Sequence, residues 1–341
     1  MTAPSRLIST VDYHTAGEPF RIVLGGVRPP RGATVLDKRD DAIAHLDDIR
    51  VLLTHEPRGH ADMYGCFLTE PDDDGADFGL VFFHREGFST ACGHGSIAAA
   101  VWAYTTGYTP LREDGTVVID VPSGRVTCAV RDTEDGHPRV AFRNIASSLH
   151  ARDVPVPTRR GTTTADIAYG GAFYAMVDAG SLGLRVHRDR LPRLIGLAAE
   201  IKTHLTKYHP LTDPEDPRIN GLYGVIFYDR LGTAAGRVEE RNVTVFADGQ
   251  VDRSPCGSGT SARIAALAAR GELTQDAVLV NHGILDTTFL GRITGTTMAH
   301  GRPAVIPEIE GTAYLTGHHT LVMDPRDELP TGFLLPSADT P

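Results

Sequence analysis

Apolar positions along this chain fall mostly into short runs bounded by Gly, Pro or Asp, the pattern of strands rather than helices. Six runs rich in Val, Ile, Phe or Tyr predict strands at 22–27, 78–84, 117–121, 125–130, 222–228 and 243–247. Helical spacing is found at 41–53, 95–104, 188–204 and 260–270. Most strands follow one another without an intervening helix, so the order predicts an α+β fold with antiparallel or mixed sheets. The stretch 143–163, with its Ser, Pro and Arg, reads as a loop crossing between two domains. The stretch 209–220 holds three prolines and reads as a surface loop.

Two of the predicted helices begin alike. Ala91-Cys92-Gly93-His94-Gly95-Ser96 leads into Ala98-Ala99-Ala100, and Pro255-Cys256-Gly257-Ser258-Gly259-Thr260 leads into Ala262-Arg263-Ile264-Ala265-Ala266. Both copies read Cys-Gly-x-Gly-Ser/Thr before an alanine-rich helix, and they lie about half a chain apart. A repeat of that period predicts two half-chains of one plan, a pseudo-symmetric pair of domains.

A helix start presents unpaired N–H groups and about half a positive charge, which favours a thiolate over a thiol. The expectation is a lowered thiol pKa at Cys92 and Cys256. Gly93, Gly95, Gly257 and Gly259 have no Cβ, so a carboxylate can approach their N–H groups closely. Two such half-sites facing each other suit a two-base proton transfer at a carbon next to a carboxylate. One thiolate removes the proton and the opposite thiol returns one to the other face. The carbanion between them needs N–H donors aimed at its carboxylate in a dry site. His94 is a base, a substrate contact or a cap. Asp252 binds a substrate ammonium or caps a turn. Cys66 and Cys128 read as small buried apolar residues.

Composition narrows the field. A net charge of −10 without basic clusters argues against nucleic acid or anionic membrane as partner. No apolar run approaches the roughly 20 residues of a membrane-spanning helix. The N-terminus lacks the apolar core of a signal peptide, so the protein is expected in the cytosol. Lys38, Lys202 and Lys207 are the only lysines, which leaves few candidates for Schiff-base chemistry. Four scattered cysteines give neither a disulfide framework nor a Cys-x-x-Cys pair. Neither His204 with His209 nor His318 with His319 forms a known metal pattern, so no metal is expected.

At these motifs the chain resembles the proline racemase family: proline racemases, hydroxyproline 2-epimerases and trans-3-hydroxy-L-proline dehydratases. The opening Asp12-Tyr13-His14-Thr15-Ala16-Gly17-Glu18-Pro19-Phe20-Arg21 is similar to the family's start. So are Asp62-Met63-Tyr64-Gly65, Tyr169-Gly170-Gly171-Ala172-Phe173-Tyr174, both cysteine motifs, Pro307-Glu308-Ile309-Glu310-Gly311 and Thr316-Gly317. The resemblance implies a diaminopimelate-epimerase-like fold of two α+β domains, 1–150 and 151–319, with 320–341 returning to the first. It implies an active site in the cleft between them, no cofactor, and a small amino-acid substrate, proline or a hydroxyproline. Cys92 and Cys256 would be the acid/base pair, with Gly93, His94, Asp252, Gly257 and Ser258 on the substrate; a homodimer is possible.

Within the family, the dehydratases typically carry threonine where Cys256 stands, so racemase or 2-epimerase is the leading expectation. Features on the other side are the stretch 247–255, which looks closer to the dehydratase branch, and Gly224, where 4-hydroxyproline epimerases carry histidine. Ala91 replaces a usual methionine. Dehydration of 3-hydroxyproline, which needs one base and an acid, is the alternative. A non-catalytic proline-binding protein is the remote one.

Overall fold

Two rings of strands, each wrapped around one buried helix, emerge from the strand pairing in the computed structural model, which describes residues 6–234 and 236–335. The first half runs β1 (Arg6–Thr15), β2 (Glu18–Gly25), α1 (Val35–His45), α2 (Asp47–Thr54), β3 (Tyr64–Thr69), β4 (Phe78–His84), α3 (Gly93–Thr106), β5 (Thr116–Val121), β6 (Gly124–Asp132) and β7 (Pro138–Arg143). The second runs β8 (Ser147–Thr158), β9 (Gly161–Tyr169), β10 (Phe173–Asp178), α4 (Leu191–Tyr208), β11 (Leu222–Ala234), β12 (Arg237–Phe246), β13 (Gln250–Val251), α5 (Gly257–Ala269), β14 (Val278–His282), β15 (Thr288–Ala299) and β16 (Arg302–Gly311). A final strand, β17 (Ala313–Met323), goes back to β1.

The neighbours in the second ring are β8, β9, β10, β11, β12, β14, β15 and β16, and β16 pairs with β8 to close it. The first set is β17, β1, β2, β3, β4, β5, β6 and β7. Its last member, β7, pairs with β16, which continues into β17 through Thr312. Parallel pairs occur at the same places in both: β2 with β3 and β4 with β5, β10 with β11 and β12 with β14. Parallel neighbours require a long crossover. Helices supply it at equivalent points, α1 and α2 matching α4, and α3 matching α5.

Helices α3 and α5 are buried from 93 to 103 and from 257 to 267 with no exposed face. A helix apolar all round must be enclosed, and each touches strands on several sides of its ring. The other helices are amphipathic covers. Residues such as Ile49, Leu52 and Leu53 of α2 pack on Phe67, Val81 and Phe83, and Leu194, Leu197 and Ile201 of α4 pack on the second ring.

Three sequence expectations change. The stretch 143–163 is not a loop: it holds all of β8 and the start of β9. Arg152, Asp153, Pro155 and Pro157 face outward on a strand whose Val154 and Val156 point inward, and Ser147 and Ser148 at its start are buried. The helix expected at 41–53 is two helices meeting at Leu46, and the first begins at Val35. A reciprocal capping box starts it there: Asp37 N–H donates to Thr34 Oγ1 (3.1 Å), and Thr34 N–H donates to Asp37 Oδ2 (3.1 Å). The third is the acidity of the two helix-start thiols, which burial reverses.

One buried ion pair locks a central helix to its ring. Arg263 of α5 and Glu240 of β12 have side chains 3% and 1% exposed, with Nη2 to Oε1 at 2.7 Å and Nε to Oε2 at 2.9 Å. The guanidinium also lies 3.7 Å over the Tyr228 ring. Glu240→Ala strands a buried cation and is expected to cost about 3–5 kcal/mol of stability. Denaturant unfolding checks this; a loss below about 1 kcal/mol, the range of an exposed pair, would refute the buried-pair assignment.

Candidate active site

The two central helices meet start to start. A Cβ on Gly93 would lie 2.6 Å from Gly257 Cα, and one on Gly257 would lie 2.6 Å from Gly93 Cα. Only glycine permits that approach. Each helix is capped by its cysteine sulfur: Gly95 N–H donates to Cys92 Sγ, and Gly259 N–H donates to Cys256 Sγ, both at 3.3 Å. The sulfur thus takes the place of the usual hydroxyl or carboxylate cap.

The cysteines differ in backbone. Cys92 is extended, with φ −155°, whereas Cys256 has φ +64° and ψ 111°, a sparsely populated conformation for a residue with a Cβ. Its surroundings hold it there. Cys256 N–H donates to Ser254 Oγ (3.0 Å), and Ser254 in turn donates its N–H and hydroxyl to Asp252 Oδ1 (2.8 and 2.7 Å). The carbonyl of Pro255 accepts from Asn242 Nδ2 (2.9 Å) and Thr260 Oγ1 (3.0 Å). Strain of this kind persists only where neighbours fix it on several sides.

Both cysteines line one cavity with Glu18, Tyr64, Ala91, His94, Tyr174, Tyr223, Thr244, Phe246, Asp252 and Ser258. Its volume, about 10 Å³, is close to what one water needs. The strand ends supply the walls by the same pseudo-symmetry: Tyr64 starts β3 and Tyr223 lies at the start of β11, and their hydroxyls meet at 3.0 Å. Phe246 ends β12 in the wall, and its ring centroid lies 5.6 Å from that of His84, which ends β4 and does not itself line the cavity. Tyr174 shares a hydrogen bond with Ser258 (2.7 Å) and stands 4.0 Å from Cys256 Sγ.

Of the residues singled out in the sequence, Cys92, His94, Asp252, Cys256 and Ser258 line the cavity, and Gly93 and Gly257 form the helix contact beside it. Glu18, Tyr64, Tyr174, Tyr223, Thr244 and Phe246 were not among them. Ala91 lines it too, against Gly171, where an added Cβ would lie 2.6 Å from Ala91 Cβ. Cys66 and Cys128 are buried away from it in the core.

The expected lowering of thiol pKa is corrected. Burial pushes both thiols well up, and the single N–H bond at each sulfur only offsets part of that. For Cys256 the neighbouring Asp252 charge adds to the rise. Helix-start acidification presumes a solvated sulfur, and these sulfurs are buried. Burial lowers the His94 pKa to about 3, so its imidazole is neutral, with Nδ1 3.5 Å from Cys92 Sγ. Asp252 is raised to about 6, chiefly by burial. Glu18 is raised well above the carboxylate range by burial and then by Asp252.

Among the described residues no group of three or more His, Cys, Asp or Glu could hold a metal ion, and no helix is long and apolar enough to cross a membrane. The chemistry on hand is two sulfurs, two carboxyls and two helix starts around one small space.

Comparison with known proteins adds the following. The sequence model described as proline racemase matches residues 10–334. A protein named 3-hydroxyproline 2-epimerase from Burkholderia multivorans is 45% identical, over 97% of this chain and 99% of its own. One named trans-3-hydroxy-L-proline dehydratase from Bacillus cereus is 42% identical, over the same shares of each. The crystal structure of a hydroxyproline epimerase from Agrobacterium vitis with bound trans-4-hydroxy-L-proline superposes with a TM-score of 0.89 at 29% identity, covering 98% of this chain and 97% of that one.

Proposed function

The chain belongs to the proline racemase family, and from that premise we propose a cofactor-independent 2-epimerase acting on a hydroxyproline, with 3-hydroxyproline as the leading substrate. The fold is diaminopimelate-epimerase-like, and the protein is an enzyme of a family that acts on small amino-acid substrates. One observation carries the finer reading: two cysteines, each capping a central helix, line the same cavity from opposite half-chains. The domains of this reading are the two rings, with β17 counted in the first.

In the proposed reaction the substrate carboxylate takes the N–H groups of Gly93 and His94 from one helix and of Gly257 and Ser258 from the other. The ring ammonium sits at Asp252. One sulfur, as thiolate, removes the Cα proton and becomes a thiol. The opposite thiol gives its proton to the other face of Cα and becomes a thiolate. Burial serves this step, because a thiolate taken out of water is a stronger base and its gap to the Cα proton narrows. The donors around the carboxylate stabilise the carbanion without reorganising. The rings must part to admit substrate, since a cavity of about 10 Å³ is far smaller than a pyrrolidine carboxylate.

The relatives' names favour 3-hydroxyproline, because those at 45% and 42% identity carry it, whereas the 4-hydroxyproline complex is 29% identical. They also support a second reading on the same substrate. After Cα deprotonation the C3–O bond breaks, the hydroxyl leaves as water with a proton from an acid, and a pyrroline carboxylate forms.

Proton NMR in D2O tests both, with L-proline, trans-4-hydroxy-L-proline and trans-3-hydroxy-L-proline in separate tubes. The expected result is loss of the α-proton signal from the 3-hydroxy compound with growth of its C2 epimer. A pyrroline carboxylate instead makes the enzyme a dehydratase. Silence in all three tubes refutes the substrate class.

A further inference from the structure

Glu18 opens β2 and is completely buried, yet only half of its carboxyl is used. Oε2 accepts the Arg253 N–H at 2.7 Å, while Oε1 has no hydrogen-bond partner. The side chain lines the same cavity as both sulfurs and Asp252, and no lysine or arginine lines that cavity. The Arg253 guanidinium is held in an ion pair with Asp62 and a bond to the Val251 carbonyl (2.9 Å). A buried cavity therefore holds two carboxyls with, among the described residues, no cationic side chain in its lining.

A buried acceptor without a donor is costly and rarely kept without a use. The amine of a five-membered amino acid ring is a secondary ammonium with two N–H bonds pointing in two directions. A primary ammonium has three, and an amide has one. Resting on the reading above, we infer that Glu18 is a substrate-binding residue that accepts one ring N–H through Oε1 while Asp252 accepts the other. The pair would select a cyclic secondary ammonium and fix the ring so that Cα lies between the sulfurs.

The inference has a thermodynamic signature. The charged groups facing Glu18 are Asp252, Asp62 and Arg253, with Cys92, Cys256 and His94 across the cavity. His94 is neutral, and burial raises the pKa of both thiols. The Glu18–Asp252 pair, buried and mutually repelling, keeps a proton while no cation is bound. An arriving ammonium favours both carboxylates, so binding releases it.

The test is calorimetric titration of trans-3-hydroxy-L-proline into a Cys92→Ala/Cys256→Ala protein, which cannot turn over, with and without Glu18→Gln. Two buffers of different ionisation enthalpy give the proton count. Glutamine keeps the size and the oxygen that Arg253 N–H needs, and a thermal melt verifies its fold. With Glu18 intact, release of about one proton is expected near pH 7. Glu18→Gln should abolish that release and weaken binding by about tenfold or more. Cyclopentanecarboxylate, which lacks the nitrogen, should bind both proteins alike without proton release. Unchanged affinity and proton count in Glu18→Gln would overturn this inference. Turnover is scored separately on the protein with both cysteines. Turnover with an indifferent Glu18→Gln sinks the inference alone, and no turnover on any ring sinks the reading beneath it.

Discussion

Cys92→Ala and Cys256→Ala are each expected to lower C2 inversion by about 10²–10⁴-fold, while α-proton exchange persists for one enantiomer only. Inversion needs a base on one face and an acid on the other, so removing either sulfur stops it. Exchange needs only one base: the remaining sulfur can take the Cα proton of the enantiomer that presents it and return a deuteron to the same face. The two variants should therefore exchange opposite enantiomers. Separate incubation of the L and D forms in D2O, followed by proton NMR, gives the pattern. If one variant exchanges both enantiomers at near wild-type rates, the two-base assignment is wrong. Elimination also needs only one base, so dehydration of a 3-hydroxyl would survive in just one of the two variants. That outcome would name the sulfur that faces the L-amino-acid proton.

Gly93→Ala should be almost as damaging, for a different reason. Its Cβ would lie 2.6 Å from Gly257 Cα, 2.8 Å from Gly257 C and 2.9 Å from Ser258 N. These are backbone atoms of the facing helix and cannot rotate away. The two helix starts must separate by several tenths of an ångström or more, which widens the space between the sulfurs and misplaces the carboxylate donors. Overpacking of this kind typically costs about 1–3 kcal/mol of stability. A misplacement near 1 Å costs about a hundredfold in rate. Gly257→Ala should behave the same way by symmetry. Gly25→Ala, with nothing within 4 Å of the added Cβ, is the control and should change neither rate nor melting temperature. Wild-type kcat/KM in Gly93→Ala would show that the helix starts are not in contact during turnover.

Much of this arrangement is written in the sequence, for identifiable reasons. The Cys-Gly-x-Gly repeat was legible because a helix start pressed against another backbone tolerates only glycine, and that demand leaves a mark at fixed spacing. Strands such as β4 and β5, buried on every residue, stand out as continuous apolar runs. Strand β17 does not: only Ala313 of its residues is buried, and Tyr314, Leu315, His318 and His319 face outward. In β8 a polar outer face hides the same strand period. The cavity walls were harder still. Glu18, Tyr64, Tyr174 and Tyr223 come from the starts of separate strands, and only the closure of the rings brings them together. Three of the four lie within the very runs that carry the family resemblance: Glu18 in the opening, Tyr64 after Asp62-Met63, and Tyr174 after the paired glycines. The acidity of the sulfurs was misjudged because a helix start can be read locally, whereas burial is a property of the whole fold.

The long strand shared by the rings also sets an order of assembly. The second ring is built from β8 to β16 without interruption, so everything it needs is contiguous and local in the chain. The first lacks one member until β17, about 300 residues further along, reaches β1. Contacts of such separation are slow to form, because the intervening chain must be ordered or looped first. On a ribosome the half that is synthesised first is thus the half that finishes last, and its unclosed edge at β1 waits until β17 has emerged.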